Sequence, residues 1–278
     1  MTLKPAFIPP HLHGCPHGDT LADVVPEVIR AGEGLLEFWS ARDTLNVEEK
    51  RAGDFVSAAD LRTEALLRDA LCHPADDWLG EETRSTNHTR APASRQWIVD
   101  PLDGTTNFLR GIGHWAISVA LQVDGVRVLG VVHDPVRNET FFALRGAGAY
   151  LNGDAIRAAQ TQRMQDALFG TGIPFGQMAH IDDHAAQIAR LMPQCAGVRR
   201  MGAAALDLAY VACGRLDGFW ERRLQPWDIA AGLVLLREAG LRVEALDKSE
   251  RPEDTGTVLT ACAPLFDPFA AVLRNSGK

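Results

Sequence analysis

Between residues 100 and 107 the chain reads Asp100-Pro101-Leu102-Asp103-Gly104-Thr105-Thr106-Asn107, a run that joins anionic side chains to a backbone suited to binding anions. Pro101, between the two carboxylates, fixes one backbone angle and stiffens the turn, and Gly104 lets the chain approach a ligand closely. A helix starting just after would leave the amides of Gly104, Thr105 and Thr106 without intrahelical partners, which favours a phosphate. Carboxylates and a phosphate share so small a volume only with cations between them, and hard divalent ions with oxygen ligands, Mg²⁺ above all, meet that need. A purely structural turn would not require a second aspartate, a glycine and two threonines in succession, so the run is assigned to function. Three other acidic places say little alone. Glu81-Glu82 follows Leu79-Gly80, Asp60 opens a helical pattern, and Asp228 lies in the first turn of a helix opened by Pro226. Paired glutamates are commonly a solvated face, and acidic residues in a first turn are ordinary stabilisers.

The elements that must position these residues follow from periodicity. Leu21, Val24, Val25, Val28, Ile29, Leu35, Leu36 and Trp39 recur at three- and four-residue steps and predict a helix over 19–40. A second begins at Asp60. Trp97-Ile98-Val99 predicts a strand running directly into the acidic turn. Ile117 to Val123 alternates, Asp124-Gly125 is a two-residue hairpin signature, and Val126, Val128 and Val131 continue beyond it. With a strand over 140–144 and a tight turn at Asn152-Gly153, the first half reads as helices packed on an antiparallel sheet. The second half predicts strands over 197–200, 217–221, 241–244 and 257–261, with helices over 203–213, stopped by Gly214, and from Pro226 to Gly240. Residues 1–18, with four prolines, predict an irregular arm, and its His11, His13, Cys15 and His17 are assigned no function. The expected organisation is this arm, an N-terminal α+β subdomain over 19–155 carrying most of the acidic site, and a C-terminal α/β subdomain over 156–278 completing it.

Composition narrows the class. The 278 residues are 46% hydrophobic and 23% charged, which excludes disordered and fibrous chains. A net charge of -8 disfavours a direct nucleic-acid surface, and five widely spaced cysteines argue against a disulfide framework or zinc ribbon. No apolar stretch approaches the roughly 20 residues of a membrane span, and the N-terminus lacks a signal-peptide core. The expectation is a cytoplasmic protein without membrane or nucleic-acid partners.

From Leu21 to Leu273 the sequence resembles the inositol monophosphatase family of Mg²⁺-dependent, lithium-sensitive phosphatases. Trp97 to Phe108 is similar to the family's central signature, Gly80-Glu81-Glu82-Thr83 to its upstream acidic motif, and Pro226-Trp227-Asp228-Ile229-Ala230-Ala231-Gly232 to its downstream one. Asp54 to Asp60 and Gly202 to Leu208 also resemble family segments. The resemblance implies a layered α-β-α-β-α sandwich, a homodimer and two to three Mg²⁺. It makes Glu81, Asp100, the Leu102 carbonyl, Asp103 and Asp228 the metal ligands. Glu81 and Thr105 would orient the attacking water, with Asp60 setting the Thr105 hydroxyl. Asp103, Gly104, Thr105, Gly202, Ala203, Ala204, Glu221 and Asp228 would contact substrate. Lys50 is a further candidate cation. The implied reaction releases phosphate from a small phosphomonoester; inositol monophosphate is the first choice of substrate, and histidinol phosphate or another sugar or nucleotide phosphate the alternative. The rival of another class is a regulatory protein that keeps the phosphatase shell. His114, where the family commonly has proline, Leu241, where a second glycine is usual, and the short charged stretch 245–256 depart from the pattern without touching a proposed ligand.

Overall fold

The computed structural model describes residues 7–42, 47–51, 54–83, 94–173 and 178–275. Its centre is a seven-stranded sheet in the order β3-β4-β5-β6-β7-β8-β9, formed by Asp77–Gly80, Arg95–Asp103, Ala116–Val123, Val126–Asp134, Glu139–Leu144, Gly148–Leu151 and Asp154–Ala155. The hairpin at Asp124-Gly125 forms as its sequence demands, with both residues at positive φ, and Asn152-Gly153 does the same. One pairing departs from the antiparallel expectation: β3 runs parallel to β4. A small ribbon, β1 (Val47–Arg51) with β2 (Asp54–Ser57), precedes this sheet.

Helices α1 (Gly18–Ser40) and α2 (Ala58–Leu71) cover one face. The other face is covered by α5 (Ala204–Ala212) and α6 (Pro226–Glu238), which also back a second sheet in the order β11-β10-β12-β14-β13. Those strands are Leu168–Thr171 (β10), Gly197–Arg199 (β11), Gly218–Glu221 (β12), Arg242–Glu244 (β13) and Val258–Ala261 (β14). Beyond them pack α4 (Ile181–Leu191) and α8 (Phe266–Arg274). Short helices α3 (Thr105–Leu109) and α7 (Pro252–Thr255) complete the order. The result is the five-layered α-β-α-β-α sandwich.

Composition explains the layering. Every residue of α5 is buried, and α6 is apolar nearly all round, as a helix between two sheets must be. Small residues let these helices approach closely: a Cβ at Gly130 of β6 would lie 2.6 Å from the Ala231 carbonyl oxygen of α6. α1 instead carries the one-sided apolar stripe of an outer helix. Among its described residues, the expected irregular arm contains a 3₁₀ turn, Pro10–Leu12, whose Leu12 is fully buried against the α1 cluster, while His11 Nε2 lies 2.9 Å from the Tyr150 hydroxyl. The two halves are further joined by Arg215, which makes two hydrogen bonds of 2.5 and 2.6 Å to the Glu139 carboxylate. Among the described residues, no helix is long and apolar enough to cross a membrane.

Candidate active site

The parallel pairing of β3 with β4 brings two acidic motifs together. Gly80 pairs with Val99, so the two strands end side by side, and the Glu81 amide, one residue on, donates to Val99 O at 3.1 Å. An antiparallel partner would have carried that glutamate to the opposite edge. In β4 the pairing with β5 then slips. Asp100 faces Ser118 and Asp103 faces Ala116, three residues on one strand against two on the other. This irregularity accommodates Pro101, which has no N–H for a ladder, and re-aims Asp103 toward the second half of the molecule.

Backbone amides hold three of the aspartates. Asp100 Oδ1 accepts from the Leu102 amide at 2.9 Å, Asp103 Oδ2 from the Ala205 amide of α5 at 2.7 Å, and Asp228 Oδ2 from the Gln225 amide at 2.7 Å. The last bond closes a capping box, so this candidate site carboxylate also starts α6. The carboxylates crowd one another. Asp100 is pushed well above the usual aspartate range by desolvation and then by the charges of Glu81, Asp103 and Asp228; Asp103 is raised by desolvation and by Asp228. Among the described residues, no three His, Cys, Asp or Glu side chains stand at the spacing of a finished metal centre. The donor set is nevertheless all oxygen and strongly anionic, which fits hard divalent cations and would not suit a soft metal.

Gly104 adopts φ 95°, and a Cβ there would lie 3.0 Å from His114 O and 3.2 Å from the Ala203 Cβ. Glycine therefore serves both the conformation and the close approach. The helix after it, α3, has only five residues, so its macrodipole is small and any anion there would rest on local amides ahead of the Phe108 N–H to Gly104 O bond at 3.0 Å. The Thr105 hydroxyl has one proton and two acceptors, Leu102 O at 3.1 Å and Asp60 Oδ1 at 3.4 Å. Asp60 itself is buried in the first turn of α2. The Lys50 side chain lies outside the described residues.

In the second sheet, Glu221 ends β12, buried, with its carboxyl against Gly172. Desolvation, then the charges of Asp207, Asp228 and Asp103, raise its pKa well above the glutamate range. Gly202, Ala203 and Ala204 lead into α5 beside the Gly104 turn. Carboxylates of both halves thus lie close enough to raise one another's pKa values.

Two residues were not singled out by the sequence reading. Glu64, one turn after Asp60 on α2, is buried and accepts from Trp78 Nε1 at 3.2 Å, the amides of Glu82 and Thr83 at 2.8 and 3.2 Å, and the Thr83 hydroxyl. It holds the turn that presents Glu81. Asp207, raised to about 6 by desolvation, lies on α5 with its carboxylate 3.6 Å from the His114 ring. The signal for Asp207 was one carboxylate within an otherwise apolar helix, and for Glu64 its four-residue spacing from Asp60. His114, noted only as a departure, is thereby the ring that covers a buried acid.

Residues 20–275 match the sequence profile of the inositol monophosphatase family. The chain belongs to that family. It is 42% identical over 238 residues to an inositol-1-monophosphatase of Rhizobium meliloti (strain 1021), covering 85% of this chain and 89% of the relative. It is 44% identical over 248 residues to the Nus factor SuhB of Pseudomonas aeruginosa, covering 88% and 92%. The inositol monophosphatase fold is equally plain in solved structures. The extragenic suppressor protein suhB of Bartonella henselae matches with a TM-score of 0.87 at 34% identity, over 93% of this chain and 99% of that one. The Thermotoga maritima IMPase matches with 0.82 at 31%, over 92% and 96%.

Proposed function

We propose that this phosphomonoesterase releases phosphate from a small polyol phosphate, inositol monophosphate first among them, with Mg²⁺ as cofactor. The observation that carries the reading is the cluster of Asp100, Asp103, Glu81 and Asp228, whose mutual repulsion divalent cations would relieve, beside the Gly104 turn. Asp100, Asp103, Glu81, Asp228 and the Leu102 carbonyl would hold the ions. Four carboxylates with a phosphate of about two negative charges are neutralised by three divalent ions, whereas two and a lysine leave about one negative charge. When bound, such ions supply an activated water and stabilise the charge developing on the leaving oxygen.

The chain's own residues do the rest. The amides of Gly104 and Thr105 hold phosphate oxygens. With the Leu102 carbonyl engaged, the Thr105 hydroxyl donates to Asp60, which turns its lone pairs toward the attacking water shared with Glu81. Glu221 and the Gly202–Ala204 wall face the leaving group. A buried acid there favours a leaving group rich in hydroxyls, and an amine is the next choice, which keeps histidinol phosphate as the alternative substrate.

The decisive experiment measures phosphate release from inositol 1-phosphate, histidinol phosphate and a wider ester panel, with and without Mg²⁺. Turnover of inositol 1-phosphate only with Mg²⁺ is expected; faster turnover of histidinol phosphate would reverse the substrate order. Silence across the panel would favour the regulatory reading, which the similarity to the Pseudomonas Nus factor SuhB supports. A homodimer is expected as well, and a monomer mass by light scattering would refute it.

A further inference from the structure

The Asn107 carboxamide closes the conspicuous run of residues 100–107, yet neither cation nor phosphate chemistry gives it a task. Its Nδ2 lies 2.8 Å from His114 O and 2.8 Å from Met201 O, with Gly202 O at 3.5 Å. A carboxamide has two N–H donors, and the two near carbonyls use both. The Asn107 backbone carbonyl also accepts from the amides of Ile112 and Arg110, at 2.9 and 3.2 Å. One residue therefore ties three segments: the helix carrying the Gly104 turn, the 110–114 loop, and the 201–203 segment from the other half of the molecule.

The tie is placed where it matters. His114 O is the atom nearest a Cβ at Gly104, followed by the Cβ atoms of Ala203 and Trp115, so the turn packs against both segments that Asn107 grips. Gly202, at φ 86°, would bring a Cβ to 3.3 Å of the same Nδ2. The His114 ring adds a parallel link through Asp207.

Resting on the phosphatase reading above, we propose that Asn107 is a positioning residue that sets the leaving-group wall, Gly202 to Ala204, at a fixed distance from the phosphate-holding turn. It touches neither phosphate nor leaving group. Its loss should spare the grip on phosphate and harm only esters whose leaving group leans on the wall.

The test compares wild type, Asn107→Ala and Asn107→Ser at saturating Mg²⁺ on inositol 1-phosphate and on p-nitrophenyl phosphate, whose leaving group departs without help from the wall. Misplacement of a bound group by about 1 Å costs up to about 100-fold, so Asn107→Ala should lower kcat/KM on the polyol ester at least about tenfold more than on the aryl ester. Inhibition by inorganic phosphate should stay within about threefold of wild type, and Asn107→Ser, which keeps one donor, should fall between. Equal losses on both esters, or none, would overturn the proposal, because a merely structural role lowers both together. If Asn107→Ala does not fold, the ratio of the two esters in Asn107→Ser decides. Wild type inactive on both esters would instead remove the phosphatase reading and this inference with it.

Discussion

A carboxylate that serves an ion is a poor contributor to a fold without one. Asp100 is buried, desolvated and faced by three like charges, so its ionised form is unfavourable until a cation arrives. Asp100→Asn and Asp228→Asn should therefore abolish Mg²⁺-dependent phosphate release while leaving thermal unfolding in a chelator unchanged or, for Asp100→Asn, at a higher Tm. Retained activity in either variant would count against the ligand assignment. Glu221 is the residue proposed against the leaving group. Glu221→Ala should shift the ranking of esters more than it lowers turnover in general, and an equal loss on every ester would contradict its placement against the leaving group.

At the scale of elements, the turn after β3 depends on a side chain from α2. Glu64 receives four donors there, and its removal leaves the buried Trp78 indole N–H without its acceptor at about 1–3 kcal/mol, with further loss at the half-buried Glu82 and Thr83 amides. Glu64→Ala is expected to lower unfolding stability by about 3 kcal/mol and to raise the Mg²⁺ concentration needed for half-maximal activity, with Glu64→Gln intermediate. A stability loss with no change in Mg²⁺ requirement would confine Glu64 to the fold. The acidic motifs, the Asp124-Gly125 hairpin and helices α1, α5 and α6 were legible because glycine, proline and apolar period each act locally. The parallel direction of β3 was not, since Asp77 to Gly80 reads the same whichever way its partner runs. Strand β10 was also missed: Leu168-Phe169-Gly170-Thr171 is too short to show a period and takes its conformation from β11 and β12 on either side.

Across the whole molecule, the outer helices are fastened to the central sheet by packed and partly polar contacts that respond to pH. His133 of β6 is buried beneath Gly32 of α1, with Nδ1 3.0 Å from the Thr140 hydroxyl, and desolvation pushes its pKa down to about 4. An unfolded histidine titrates near about 6.5. The folded pKa is the lower, so this group's contribution is complete above about pH 6.5 and is lost as pH falls toward about 4, a total of about 3 kcal/mol. In urea unfolding, His133→Gln should reduce the stability difference between about pH 7.5 and about pH 4.5 by about 2 kcal/mol; an unchanged difference would place the acid sensitivity elsewhere. The contact of Gly130 with Ala231 has a kinetic consequence. Strand β6 and helix α6 meet backbone to backbone, and Ser118 of the neighbouring strand donates to Trp227 O at 3.1 Å, one residue before Asp228. The aspartate carried by α6 is thereby held at a set distance from those of β4 without any hinge between them. Binding of Mg²⁺ after rapid mixing should then show phases whose rates each rise linearly with ion concentration, free of the plateau that a slow closing step would impose.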